Sequence, residues 1–295
     1  MPKFRSGWKK DKFDRRDWLR GVTVRGAISD RKVFDLSVIP TIPDQGYTSS
    51  CVGQAMDGAR SCQELMSKTF VESFSAWDIY KGALFLEGEN ENYGCYPRDA
   101  LEWQRTKGTL LERFWPFIDG TKTFDKKFRS SDLDKEAMKF PLSYFRVVDG
   151  IDGICAILDD DFPVTIGMPW PNEWMSTSDG KLKVPKASSS IAGGHEVWLW
   201  GYDTITGYFY GSNSWGIKNW SSKGTLVPKG CFLMPFAAID WAKTQGGYDA
   251  HIFGAAVPEP PPEPDPTPVP TPSGKLPLWV AGSEDGNNWG KYKTR

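Results

Sequence analysis

Small and apolar residues recur at Val52, Ala55, Met56, Ala59, Cys62 and Met66, the i, i+3, i+4, i+7 spacing of a helix with one face on a core. A polar turn, Gln45-Gly46-Tyr47-Thr48-Ser49-Ser50, leads into it, with Ser49 and Ser50 as natural N-cap residues and Cys51 in the first helical turn. Ser75 to Leu84 predicts a second helix carrying Trp77, Ile79 and Tyr80. A third is predicted from Pro97, suited to a first helical turn, to a stop at Gly108. A fourth, with Ile151, Ile154, Cys155 and Leu158, should end before Asp159-Asp160-Asp161, whose charges oppose the dipole at a helix C-terminus. Beyond it the pattern changes. Phe162 to Met168 reads as a strand, and His195–Asp203 and Gly207–Gly211 read as an aromatic-rich hairpin. Thr225–Pro228 and Cys231–Met234 add strand material, so helices first and strands later predict an α+β fold.

Charge and proline set the boundaries. Residues 1–32 alternate basic and acidic side chains, which predicts a solvated arm wrapped on the body, with Phe13, Trp18 and Leu19 as candidate pins. Val33–Pro43 reads as extended chain broken by prolines, and the folded domain should span 33–256. Residues 257–274 form a Pro-rich linker of polyproline character, and 275–295 are too few for a core of their own. Ser283-Glu284-Asp285-Gly286-Asn287-Asn288-Trp289 in that tail resembles a hairpin turn of β-sandwich carbohydrate-binding modules; a docking partner for linker and tail is the expectation there.

Composition removes several classes. A chain of 295 residues with 39% hydrophobic content and a net charge of −1 favours neither nucleic acid nor a membrane surface as partner. No apolar run reaches membrane-spanning length, and the first residues lack the hydrophobic region of a signal peptide. Cys51, Cys62, Cys95, Cys155 and Cys231 are scattered without a CxxC pair, so no metal site is implied and free thiols in a reducing compartment are expected.

One cysteine stands apart. At a helix N-terminus, unpaired N–H groups and the positive end of the dipole favour the thiolate of Cys51. A base is then required, and the chain has two histidines, His195 and His251. Cys62, Cys155 and Cys231 sit in apolar settings and should pack; His251 lies outside any motif and reads as structural.

Gln45 six residues before Cys51, His195 on a strand 144 residues beyond it, and Asn213-Ser214-Trp215-Gly216 a further 18 residues on resemble a papain-like (C1) cysteine peptidase. The resemblance covers about 33–256 and implies two lobes, helical from about 33 to 145 and β-rich from about 146 to 256, with the site between them. It implies a polypeptide substrate, no cofactor and no metal. Cys51 would be the nucleophile, His195 the general acid and base, and Asn213 the acceptor that orients His195. Trp215 would cover that bond, and Gln45 Nε2 with the Cys51 N–H would hold the oxyanion.

Substrate contacts follow in the same way. Gly94-Cys95-Tyr96-Pro97 resembles the family's Gly-Gly-Tyr-Pro segment, which pairs with the substrate backbone, with Cys95 replacing a glycine. Gly167, Met168, Gly193 and Gly194 align with the pocket for the residue two before the scissile bond. Three glycines predict a roomy pocket, closed by Met168 and suited to a bulky apolar side chain. Glu196, in place of a small residue after the histidine, is expected on the opposite strand face, solvated or salt-bridged. Val52 and Thr48 also depart from the family pattern, the latter where a disulfide cysteine is common. With no long pro-segment ahead of Cys51, the expectation is a bacterial or bacteriophage protein, cytoplasmic or virion-associated. Two other functions share these residues: a transpeptidase or peptidoglycan-peptide amidase, and a catalytically silent scaffold.

Overall fold

The computed structural model describes residues 7–12, 14, 19–20, 28–68 and 72–254. The described residues from 7 to 254 all belong to one compact unit. The predicted linker and tail, together with Phe13 and Trp18, lie outside the described residues.

The central helix, α1 (Cys51–Ser67), is long because its apolar stripe has core on one side for most of its length: Val52, Ala55, Met56, Ala59 and Cys62 are buried. Its first turn is built differently from the expected serine cap. Ser50 makes no side-chain cap bond; its hydroxyl pairs with that of Thr48 at 2.7 Å, and Ser49 is held by Asn92. Two further helices, α2 (Ala76–Leu86) and α3 (Pro97–Lys107), complete the helical side. Ser75 caps α2 by accepting from the Asp78 N–H, and Gly108, with φ 66°, ends α3. A buried Asp78–Arg129 ion pair at 3.2 Å ties the following loop to α2.

Among the described residues, eight strands form the other side. They are β1 (Leu19–Arg20), β2 (Arg31–Val33), β3 (Ser143–Val147), β4 (Val164–Pro171), β5 (Ile191–Asp203), β6 (Tyr208–Ser212), β7 (Cys231–Pro235) and β8 (Asp249–Gly254), in the order β1-β3-β8-β4-β5-β6-β7 with β2 on β5. A short helix α4 (Asp134–Ala137) precedes β3, α5 (Gly150–Asp159) follows it, and α6 (Ala237–Thr244) links β7 to β8. α1 lies directly on β5. At Gly58 a Cβ would come within 2.5 Å of the Trp198 indole nitrogen, so only glycine allows this approach.

Three segments differ from expectation. Thr225–Pro228 is not a strand: Gly224 and Gly230 turn the chain at positive φ on either side of it. Leu36–Val38 is a 3₁₀ turn, capped by Asp35, within the stretch expected to be extended. α5 takes in Asp159, whose carboxylate accepts from Ser29 N and Oγ at 2.9 and 2.6 Å.

Candidate active site

Cys51 is the first residue of α1 and is fully buried. Gln45 reaches back across the turn before it. Gln45 Nε2 donates to the Thr48 carbonyl at 2.8 Å, and Ser214 Oγ donates to Gln45 Oε1 at 2.6 Å. The Gln45 N–H also donates to the Ser214 carbonyl, so the turn is stitched to the segment after β6 by backbone and side chain together.

That segment carries Asn213, whose Oδ1 lies 2.8 Å from His195 Nε2. The Ser214 N–H donates to the same oxygen at 2.7 Å, which fixes the amide's orientation, because a backbone N–H can bond only the oxygen. Nε2 therefore carries the imidazole proton, and Nδ1 is the basic nitrogen. Nδ1 is buried without a hydrogen-bond partner. The imidazole is clamped by tryptophans: Trp215 stacks on it at 4.4 Å and 23°, and Trp170 meets it edge-on at 4.9 Å.

Similar solved structures share this architecture. Xylellain, a cysteine protease from Xylella fastidiosa, matches with TM-score 0.73 and 24% identity over 85% of this chain and 96% of its own. The proCathepsin B S9 structure from Trypanosoma congolense matches with TM-score 0.65 and 14% identity over 86% of each chain. Digestive procathepsin L 3 of Tenebrio molitor matches with TM-score 0.61 and 15% identity over 81% of this chain and 75% of its own. No protein-family model matches the chain, and no curated protein matches it in sequence. The fold is papain-like.

In this papain-like cleft lies the chain's own N-terminal segment, where the sequence predicted a solvated arm. The N–H groups of Gly7 and Trp8 donate to the Gly194 carbonyl at 3.0 and 3.2 Å. Cys95 N donates to Gly7 O at 2.8 Å and Lys9 N donates to Cys95 O at 3.0 Å, making Trp8 and Cys95 a parallel bridge. Gly7 is packed against Ser49 and Gly94 so closely that a Cβ on Gly7 or Gly94 would overlap backbone. Further along, Lys9 pairs with Glu87 at 2.7 Å, Lys10 bonds the Gly246 carbonyl, and Asp11 N donates to Asp249 at 2.8 Å. Asp11 accepts from the Arg98 N–H and lies 3.4 Å from His251 Nε2.

The Trp8 ring fills a pocket made by missing side chains. A Cβ on Gly167 would come within 2.1 Å of the ring, and one on Gly194 within 2.5 Å. Strand register explains the rest. Gly167 pairs with Glu196 on β5 and Asp249 on β8, so these three share one face, two carboxylates flanking a bare glycine. Met168 pairs with His195 and is out of phase with Gly167; it packs in the core and does not close the pocket. Gly193, opposite Trp170, is likewise out of phase with Gly194. Glu196 does point away from the His195 face, but it is neither solvated nor salt-bridged. It is fully buried, and neither carboxyl oxygen has a hydrogen-bond partner.

Burial governs the charge states. The Cys51 thiol is pushed up to about 12 by desolvation, opposed by the N–H groups of Glu196, Gly7 and Val52. Loss of water takes His195 down to about 4, with the Asn213 bond working against it. With the cleft filled, thiol and neutral imidazole are the favoured forms. Desolvation and then Asp249 raise Asp11 to about 7; burial also raises Glu196 and Asp249, and lowers His251 to about 3.

Sequence reasoning missed Trp8, Trp170, Ser214 and Asp249. Trp170 carried a usable signal: it lies two residues past Met168 on one strand, hence on the face that Met168 shares with His195. Ser214 stood inside the Asn-Ser-Trp-Gly motif itself. The five cysteines are all free and buried. No group of metal-ligating side chains occurs among the described residues.

Proposed function

We propose that the chain is a cysteine peptidase whose nucleophile is Cys51. The observation that carries this reading is the His195 tautomer: Asn213 holds the proton on Nε2 and leaves Nδ1 to exchange a proton with the thiol. Attack on a peptide carbonyl forms a tetrahedral intermediate. The Cys51 N–H and Gln45 Nε2 are suited to stabilise its oxyanion, a donor of this kind being worth about 2.7–4 kcal/mol. His195 then returns its proton to the departing amine, and water resolves the thioester. Trp215 and Trp170 keep water from the Asn213–His195 bond.

The form described is the resting one. Gly7 lies against the Cys51 sulfur while Trp8 fills the pocket, so this segment runs from nucleophile towards pocket. A substrate whose second residue before the scissile bond occupies the pocket runs the other way. The arm thus blocks the cleft backwards, presenting no peptide bond in the productive direction. Two of the similar structures, procathepsin L 3 and proCathepsin B S9, are proenzymes by name, in keeping with a blocked form.

The test is hydrolysis of a peptide library by the chain carrying Trp8→Ala, which vacates the cleft, and by the same chain carrying Cys51→Ser as well. Cleavage that the serine variant loses supports the reading, and an equal rate in both refutes it. Adding an amine nucleophile separates hydrolysis from transpeptidation by product mass.

A further inference from the structure

Glu196 is the least satisfied polar group near the cleft. A buried carboxyl with neither oxygen bonded is rare in folded proteins and calls for a specific explanation. Of its neighbours only the Thr165 hydroxyl faces it, and Oγ1 is shared with the His251 carbonyl, at 3.4 Å. Arg146 is committed to Asp249 at 2.7 Å. What lies over Glu196 is the Trp8 ring, which contributes only an indole N–H that faces Asp249 without a well-formed bond. The pocket therefore combines a void opened by Gly167 and Gly194, an unpaired carboxyl at its wall, and a removable apolar plug.

We propose that Glu196, with Asp249 behind it, is the specificity-determining residue of this cleft: once Trp8 withdraws, it receives a cationic side chain, Lys or Arg, of the bound polypeptide. This rests on the peptidase reading and replaces the apolar preference expected from the glycines alone. The charge balance supports it. Withdrawal of the arm takes Asp11 away and leaves the two carboxyls of Glu196 and Asp249 with Arg146 bonded to the second of them. A long cationic side chain can lay its stem along the space the indole leaves and bring its donors to both Glu196 oxygens. A leucine there would leave the carboxylate unpaired, the arrangement that gives the strongest discrimination.

The experiment uses the full chain carrying Trp8→Ala, so that the pocket is vacated. Peptides identical except at the second residue before the scissile bond (Arg, Lys, Leu, Phe or Glu) are compared by kcat/KM. Arg and Lys are expected to exceed Leu by about tenfold or more. Adding Glu196→Gln, nearly isosteric, should reduce the Arg-to-Leu ratio by about tenfold, an effect that a merely structural loss would not produce because it scales all peptides together. Should that variant fold poorly, Asp249→Asn provides a second reading, with a smaller fall in the same ratio. A Leu or Phe preference, or an Arg-to-Leu ratio unchanged by Glu196→Gln, overturns the proposal. Failure of the peptidase reading has a different signature: none of the five peptides is cleaved, and the proposal falls with it.

Discussion

His195 and Glu196 are adjacent on β5 and point to opposite faces, and their surroundings could hardly differ more. His195 has an oriented acceptor in Asn213 and an aromatic clamp in Trp215 and Trp170. Glu196 is fully buried and has only the Thr165 hydroxyl beside it, shared with the His251 carbonyl. The first arrangement is complete without any ligand, as chemistry that must be ready in advance requires. The second is incomplete until something enters, as recognition requires. On the proposed reading, one strand would carry preorganised catalysis on one face and unfilled binding capacity on the other, with the N-terminal arm over the second.

The largest expected effect breaks the first face. His195→Ala should lower kcat/KM by about 10⁴-fold or more, measured on a peptide cleaved by the Trp8→Ala chain. Gln45→Ala should cost about 10²–10³-fold in kcat, the loss associated with one oxyanion donor, and some stability, because Gln45 also ties the turn to Ser214. Asn213→Ala should lower kcat by about tenfold to hundredfold, the worth of a hydrogen bond to a group that becomes charged, with KM little changed.

The smallest effect sharpens the second face. Asp11 is raised to about 7 when the arm is docked. A carboxyl raised on docking stabilises the docked state fully below its ordinary pKa, near 3.8, and that contribution is lost as pH rises through about 7. Glu196 and Asp249, also raised, act in the same direction, while Arg98 and Arg146 oppose it and buried His251 stays neutral. Docking should therefore weaken between about pH 4 and pH 7, and hydrolysis by the unmodified chain should rise over that window. Asp11→Asn should flatten the rise, by up to about tenfold at the upper end.

Much of this was legible locally. The apolar stripe after Cys51, the Pro97 start and Gly108 stop of α3, and the β5–β6 hairpin all follow from short-range periodicity and punctuation. The pairing of His195 with Asn213, and of Gln45 with Ser214 beside it, involves the motif residues named from the sequence. The arm was not. Its alternating charges read as a solvated segment, and its partners Cys95, Gly194 and Asp249 lie far along the chain, beyond the reach of any local pattern. For the same reason Glu196 could be assigned to a strand face but not to a burial state, because alternation gives direction and says nothing of what covers it. Thr225–Pro228 was misread because β-branched composition was weighed above the glycines that bracket it.

The most direct test of a Cys51 nucleophile held closed by its own arm is site-resolved alkylation at pH 6 of three full-length chains: wild type, Trp8→Ala, and Trp8→Ala with His195→Ala. With the arm docked, burial keeps Cys51 a thiol, so the wild type should label slowly. Trp8→Ala should label Cys51 faster by about tenfold or more and hydrolyse peptide, and His195→Ala should abolish both gains. Equal Cys51 labelling in all three chains, with no hydrolysis by any, would contradict the account.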